Sequence, residues 1–309
     1  MSRTLVEVQG RTLELSNLDK VFYPSTGTTK GQVIDYYVRV APVLLPHLAG
    51  RPLTMVRYPD GVAGGHFYEK RRPPHAPEWV QTAEVPSDRA KDGVVTHVVC
   101  NDLPTLVWLA NLASLELHPL LAREPSLEHP TTLMFDLDPG APAGLLEAGR
   151  VALIVRQVLD GVGLPSFIKT SGSKGLHLVV PLDGKSTYDD TRPFAQRLAA
   201  LLARSHPDKV VAIQRKTERG GKVLVDWNQN GFTNTTVAAY SLRATASPQV
   251  STPITWDELD DALSADDSTL LVFGPDQVLS RIAEHGDLHK AALKTRRATS
   301  TRLGSVPTA

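Results

Sequence analysis

The sequence predicts an α+β fold centred on a split βαβ, ferredoxin-like unit, and three observations carry the prediction. Between residues 131 and 245, short apolar runs alternate with two amphipathic stretches in the order β-α-β-β-α-β, followed by one more strand. Gly, Pro, Ser and Asn bound the runs, as turns between strands and helices require. The 309 residues, 41% of them hydrophobic, suffice for a sizeable core in one domain or two joined lobes.

The elements follow in order. TLVEVQ and TLELS pair as strands, with Gly10-Arg11 at their turn. Thr28 or Thr29 caps a helix through GQVIDYYVRVAPVLLPHL, interrupted at Pro42, which has no backbone donor. PLTMVRYP and VVTHVVC read as strands. PTLVWLANLASLEL is apolar nearly all round and reads as a buried helix. TTLMFDLD is a strand stopped by Pro139-Gly140. GLLEAGRVALIVRQVLDGVG carries Leu and Val at helical spacing. SFIKTS and LHLVVPL are strands joined by the turn GSKG. DDTRPFAQRLAALLARS is a second helix, and VVAIQ and KVLVDW close the unit. From about Leu293 the chain is rich in Thr, Ser and Arg, the composition of a flexible tail.

Composition excludes several classes. No apolar run approaches the ~20 residues that span a bilayer. The N-terminus lacks the charged-then-apolar layout of a secretory signal. Cys100 is the single cysteine, so no internal disulfide is expected and a cytoplasmic, reducing setting fits. No CxxC or HExxH spacing points to zinc. Formal net charge is zero, from 33 basic and 33 acidic residues. Distribution matters more than the sum, because a local basic stripe can track phosphates. Lys169, Lys174, Arg215, Lys216, Arg219, Lys222 and Arg243 surround the acidic candidates in sequence, and Lys70, Arg71 and Arg72 form a second knot.

The chemistry concentrates in LMFDLDPG. Alternation along a strand puts Asp136 and Asp138 on one face, their Cα atoms roughly 6.6 Å apart at ~3.3 Å per residue. Two such carboxylates beside a core call for a cation. Asp226, at the end of the apolar run KVLV, can join them if the last strand of the unit lies beside the first. Three convergent acids suit two-metal phosphoryl transfer, with ions ~3.5–4 Å apart. A bare DxD also serves to cap a turn. SGSKGLH links two strands of the same unit. Its glycines free backbone N–H groups, Ser171 and Ser173 offer hydroxyls, Lys174 offers a point charge, and His177 opens the next strand. It is not a Walker A loop, and alone it reads as an ordinary hairpin. NQNGFTNTT, with Gln229, can carry hydrogen bonds into a site, and YSLRA supplies Arg243.

DLDPG, TSGSKGLHLVVPL, KVLVDWNQN and YSLRA, in that order, closely resemble the polymerase domain of bacterial ligase D, in the archaeo-eukaryotic primase superfamily. LSNLDKVFYPSTGTTKGQVIDYY, HLAGRPLTMVRYPDG and FYEK extend the resemblance, which runs from about Leu15 to His289. It implies a primase-polymerase domain over 1–292: an N-terminal α/β lobe to about 130, a catalytic palm over 131–245 packed against it, and C-terminal helices over 246–292. The tail is then 293–309. Asp136, Asp138 and Asp226 would bind two Mn2+ or Mg2+ ions. Ser171, Lys174, His177, Arg243, His118 and Gln229 would hold the nucleotide. Asn17, Lys20 and Lys30 would grip a DNA 5′-phosphate, while Phe67 and Arg57 would contact the template. Some relatives carry a second basic residue just before Arg57, where this chain has Val56.

The implied enzyme is a DNA-repair polymerase or primase that adds NTPs or dNTPs at gaps, nicks or 3′ overhangs bearing a 5′-phosphate. It would be a nucleoid-associated monomer able to bridge DNA ends, with Ku and a DNA ligase as protein partners. No KxDG-type ligase motif occurs, so nick sealing is not expected of these residues. Two rivals stand beside it. A haloacid-dehalogenase-type phosphatase also uses DxD, but needs a Thr soon after the second Asp, where Pro139-Gly140-Ala141 follow. A catalytically weak DNA-end-binding module would have no need of all three acids.

Overall fold

The computed structural model describes residues 3–294 and residue 303. The expected tail therefore lies outside the described residues, apart from Leu293, Lys294 and Leu303. Contacts divide the chain into two units: Met1–Leu120 with Thr235–Ser251 and Gly274–Gly286, and Leu121–Asn234 with Thr252–Phe273 and Asp287–Ala309. The first boundary thus falls at residue 120 rather than 130, and 235–251 belongs with the N-terminal residues.

The first unit opens with the hairpin β1 (Arg3–Val8) and β2 (Arg11–Ser16). Its turn sits one residue earlier than expected. Gln9 and Gly10 take φ of 49° and 77°, and Arg11 already pairs with Val8. Positive φ at both turn residues suits the right-handed twist of a tight hairpin. A ribbon of β3 (Val21–Tyr23) and β4 (Thr28–Thr29) leads into helix α1 (Lys30–Leu48). Thr29 caps that helix in a capping box with Gln32. The expected interruption at Pro42 does not occur. Pro42 and Pro46 are one turn apart on the exposed face, so the carbonyls that lose a donor there belong to the solvent side of the helix.

The sheet of this unit contains β5 (Pro52–Arg57), β6 (Phe67–Glu69), β7 (Thr82–Pro86), β8 (Val94–Val99) and, after helix α2 (Leu103–Asn111), β9 (Ser114–Pro119). Its order is β6-β5-β8-β7, with β9 also paired to β5. The helix expected over PTLVWLANLASLEL is therefore cut short. Ala113 takes φ 62°, the chain reverses, and SLELH becomes β9. A short apolar run suits a buried helix or a buried strand equally, and pairing with β5 decides.

The second unit begins with the ribbon β10 (Ala122–Arg123) and β11 (Ser126–Pro130). The palm follows as β12 (Thr132–Pro139), α3 (Leu145–Gly161), β13 (Phe167–Thr170), β14 (Leu176–Pro181), α4 (Tyr188–Ser205), β15 (Val210–Val211) and β16 (Val223–Asp226). VVAIQ shrinks to its first two residues. Next, β17 (Leu242–Arg243) and β18 (Gln249–Val250) form a ribbon in the first unit, and β19 (Pro253–Ile254) returns to the palm edge. The palm order is β15-β16-β12-β14-β13-β19. This is the ferredoxin-like α+β arrangement, with β16 inserted beside β12 and β19 added at the far edge. Leu and Val of α3 and α4 bury their faces with Phe135, Leu137 and Leu178 of the sheet. Helix α5 (Trp256–Ser264) packs on α3, where Gly149 leaves room for Leu259, and helix α6 (Pro275–His285) belongs to the first unit. Among the described residues no helix is long and apolar enough to cross a membrane.

Candidate active site

Register across the palm puts four titratable residues in one row. Asp226 of β16 pairs with Asp136 of β12, Asp136 with His177 of β14, and His177 with Lys169 of β13. Residues directly opposite in adjacent strands share a face, so the row projects to one side of the sheet. Contacts follow it. His177 Nε2 lies 3.3 Å from Asp136 Oδ1, and Lys169 Nζ lies 3.0 Å from His177 Nδ1. Lys169 and His177 are buried, while the Asp136 side chain keeps 24% exposure. Burial, opposed by hydrogen bonds from Gln214, Asn228 and Gln229 and reinforced by Asp136, pushes the Asp226 carboxyl above the usual carboxylate range. Gln229 bridges the two acids, donating to Asp226 Oδ2 at 3.2 Å and Asp136 Oδ2 at 3.5 Å. Buried Asn230 anchors the turn that carries Gln229. It accepts from Met134 N and donates to Met134 O, at 2.8 and 2.7 Å.

Asp138 lies two residues along β12, opposite Leu224. Lys174 reaches it at 3.0 Å and Arg219 at 3.1 Å. The loop that carries Lys174 is self-braced: Ser171 Oγ accepts from the N–H groups of Ser173 and Gly175. Gly175 must be glycine, because a Cβ there would collide with the Leu137 carbonyl of β12. The palm thus brings together Asp136, Asp138, Asp226, Lys174, His177, Ser171 and Gln229.

Three hard carboxylates on one sheet face are a donor set for Mg2+ or Mn2+. Among the described residues, however, no three His, Cys, Asp or Glu side chains converge closely enough to form a ready cage. The reason is local: Asp138 is drawn to two cations, and Gln229 stands on the other two acids. The residues fit divalent ions once these protein donors yield.

Three further clusters belong to the first unit. Asn17 takes φ 54° in a turn whose Lys20 N–H donates to the Asn17 carbonyl. Lys30 N–H then donates to Lys20 O, which brings the three 5′-phosphate candidates together. Lys20 is paired with exposed Asp60 at 2.6 Å. Lys30 is buried and donates to Ser16 O. Burial, then the charges of Lys20 and Arg57, lowers its pKa to about 8. In the second cluster Arg57 bonds Glu69 at 2.8 Å and lies over the Phe67 ring. Phe67 and Tyr68 are exposed aromatics on β6. In the third, Glu116 accepts from His118 at 2.8 Å and from Arg243 Nε at 3.1 Å. His118 therefore sits on strand β9, two residues after Glu116 and on the same face.

A family model described as the LigD primase-polymerase domain matches residues 29–289. This chain belongs to that family. The multifunctional non-homologous end joining protein LigD of Mycolicibacterium smegmatis is 41% identical over 278 residues, covering 89% of this chain and 35% of that protein. The bifunctional non-homologous end joining protein LigD of Bacillus subtilis is 32% identical over 275 residues, covering 89% of this chain and 43% of that protein. The chain thus spans about a third to two-fifths of these relatives. Among solved structures, the polymerase domain of Mycobacterium tuberculosis ligase D in complex with DNA superposes with a TM-score of 0.84. The identity is 41%, covering 90% of this chain and 97% of that one.

Within this LigD primase-polymerase domain, sequence reasoning missed Glu116, Asn230, Asp60 and the place of Lys169 in the row. Glu116 carried a signal, because ELH on a strand puts its Glu and His on one face. Asn230 carried none, since its role depends on folding back onto β12.

Proposed function

We propose that the chain is a template-directed DNA-repair polymerase of primase type. It would add ribo- or deoxyribonucleoside triphosphates to a 3′-hydroxyl at short gaps or double-strand break ends. The observation that carries the reading is the Asp226–Asp136–His177 row, with Asp138 on the same face. The solved relative is described in complex with DNA, and the curated relatives are named for non-homologous end joining; both support DNA breaks as the substrate class. Ku and a DNA ligase are the corresponding protein partners, and both units work as one primase-polymerase domain.

Asp136, Asp138 and Asp226 would hold divalent ions, Mn2+ or Mg2+, which supply activation of the 3′-hydroxyl and charge for the leaving oxygen. The chain's own groups position and neutralise, with no covalent intermediate. Lys174 and His177 offer cationic and N–H contacts to phosphate, and Gln229 orients the carboxylates. In the first unit, Arg243 and His118 are assigned to the nucleotide, and Asn17, Lys20 and Lys30 to the 5′-phosphate. Exposed Phe67, with Arg57 beside it, is assigned to the template.

The test is extension of a primer on gapped DNA with and without the downstream 5′-phosphate, using rNTPs and dNTPs in Mn2+ and in Mg2+. Templated extension stimulated by the 5′-phosphate is expected. The ties of Asp138 to Lys174 and Arg219 favour a second reading, a DNA-end-binding module. Tight binding of 5′-phosphorylated ends with no incorporation under any condition would establish it and overturn the polymerase.

A further inference from the structure

Glu116 lies on β9 with its side chain 8% exposed. Its Oε1 accepts from Arg243 Nε at 3.1 Å and from Ala244 N at 3.0 Å, and its Oε2 pairs with His118 Nε2 at 2.8 Å. The backbone of the same segment is fixed from another side, where the Tyr23 hydroxyl donates to Arg243 O at 2.9 Å. One carboxylate thus ties two side chains that lie 125 positions apart in the chain (243 − 118).

Burying a carboxylate is costly unless it is paired, and exchanging a buried ion pair for apolar residues is often neutral for stability. What this arrangement supplies is geometry. Arg243 meets the carboxylate through Nε, so the plane of its guanidinium is set by Glu116. Arg243 and His118 keep 21% and 14% side-chain exposure, whereas the acid beneath them is nearly covered. Burial alone would raise the Glu116 pKa. The His118 and Arg243 contacts outweigh it and hold the group at about 2, ionised at any working pH.

We infer that Glu116 is a positioning residue that sets Arg243 and His118 as paired donors for the anionic groups of the incoming nucleotide. The inference rests on the nucleotide-binding reading of those two residues. Glu116 itself acts through them.

The experiment is steady-state extension by Glu116→Gln, Glu116→Asp, Arg243→Ala, His118→Ala and their combinations, with folding checked by thermal unfolding. Glu116→Gln should raise the nucleotide KM about ten- to a hundredfold, the effect of misplacing one hydrogen bond to a charged group. Its kcat should change by less than about threefold. Glu116→Asp, which keeps the charge, should be milder. In an Arg243→Ala/His118→Ala background, Glu116→Gln should add nothing. An unchanged KM in Glu116→Gln, with KM raised by Arg243→Ala and His118→Ala, overturns the inference alone. An equal further loss in the double background also overturns it, because Glu116 would then be structural. Unchanged KM in both Arg243→Ala and His118→Ala overturns the underlying nucleotide reading instead.

Discussion

In the second unit the candidate catalytic charges stand on four neighbouring strands, each facing its partner across a fixed register. In the first, the 5′-phosphate candidates hang from a turn and a helix start: Asn17 in a left-handed conformation, Lys20 on an exposed acid, Lys30 buried beneath. The sheet places like charges side by side and counters them with His177, Lys174 and Arg219. At the turn Asp60 counters Lys20, while burial, and then the charges of Lys20 and Arg57, weakens the hold of Lys30 on its proton. A sheet suits chemistry that tolerates little movement, while a turn suits capture of a ligand that arrives from solution.

The largest break in this comparison is expected from Asp138→Ala or Asp226→Ala. Either should cut extension by about a thousandfold, the upper end for losing one preorganised transition-state contact. Binding of 5′-phosphorylated DNA, measured by fluorescence anisotropy, should be unaffected. An Asp226→Ala enzyme that extends normally would remove the palm from the chemistry.

Next comes Asn230→Ala, which leaves the Met134 N–H and C=O without their buried partner. The fold should lose about 2–3 kcal/mol in denaturant unfolding, the cost of orphaned buried groups. The Gln229 turn should loosen with it.

The third expectation concerns pH. Lys30 is charged below about 8 and loses its charge as pH rises through that value. A bound phosphate favours the charged form. From pH 7 to pH 9 the affinity for 5′-phosphorylated DNA should therefore fall, by up to about tenfold at one pH unit above the pKa. The 5′-hydroxyl version of the same DNA should show no such fall.

The smallest effect is expected from Asp60→Asn. It frees Lys20 from an exposed ion pair of the kind worth little in water. Affinity for the 5′-phosphate should rise only ~1.5–5-fold, and a fall would make Asp60 part of the binding surface.

Legibility followed the same divide. The palm was readable because its strands are short apolar runs between Pro and Gly stops, and because DLDPG and SGSKGLH mark their ends. Alternation placed Asp136 and Asp138 on one face, and strand order brought Asp226 beside Asp136. The first unit was harder to read. SLEL is apolar enough for helix or strand, and its pairing with β5 depends on residues 60 positions away. Pro42 signals a break only when its face is inward, and here it points to water. The ties of Asp138 to Lys174 and Arg219 depend on loop conformations that no periodicity encodes.

The pairing of Asp136 with Asp226 also joins the two ends of the palm segment. Asp136 enters the chain with the first strand of the palm, and its neighbour arrives only with β16, after both helices and the strands between them. Contacts between such distant positions carry a loop-closure cost that neighbouring contacts do not. Until that cost is met the chain has its acids but no row. An assembled row is therefore a mark of the completed palm, because its acids stand on strands that become neighbours only in the finished sheet.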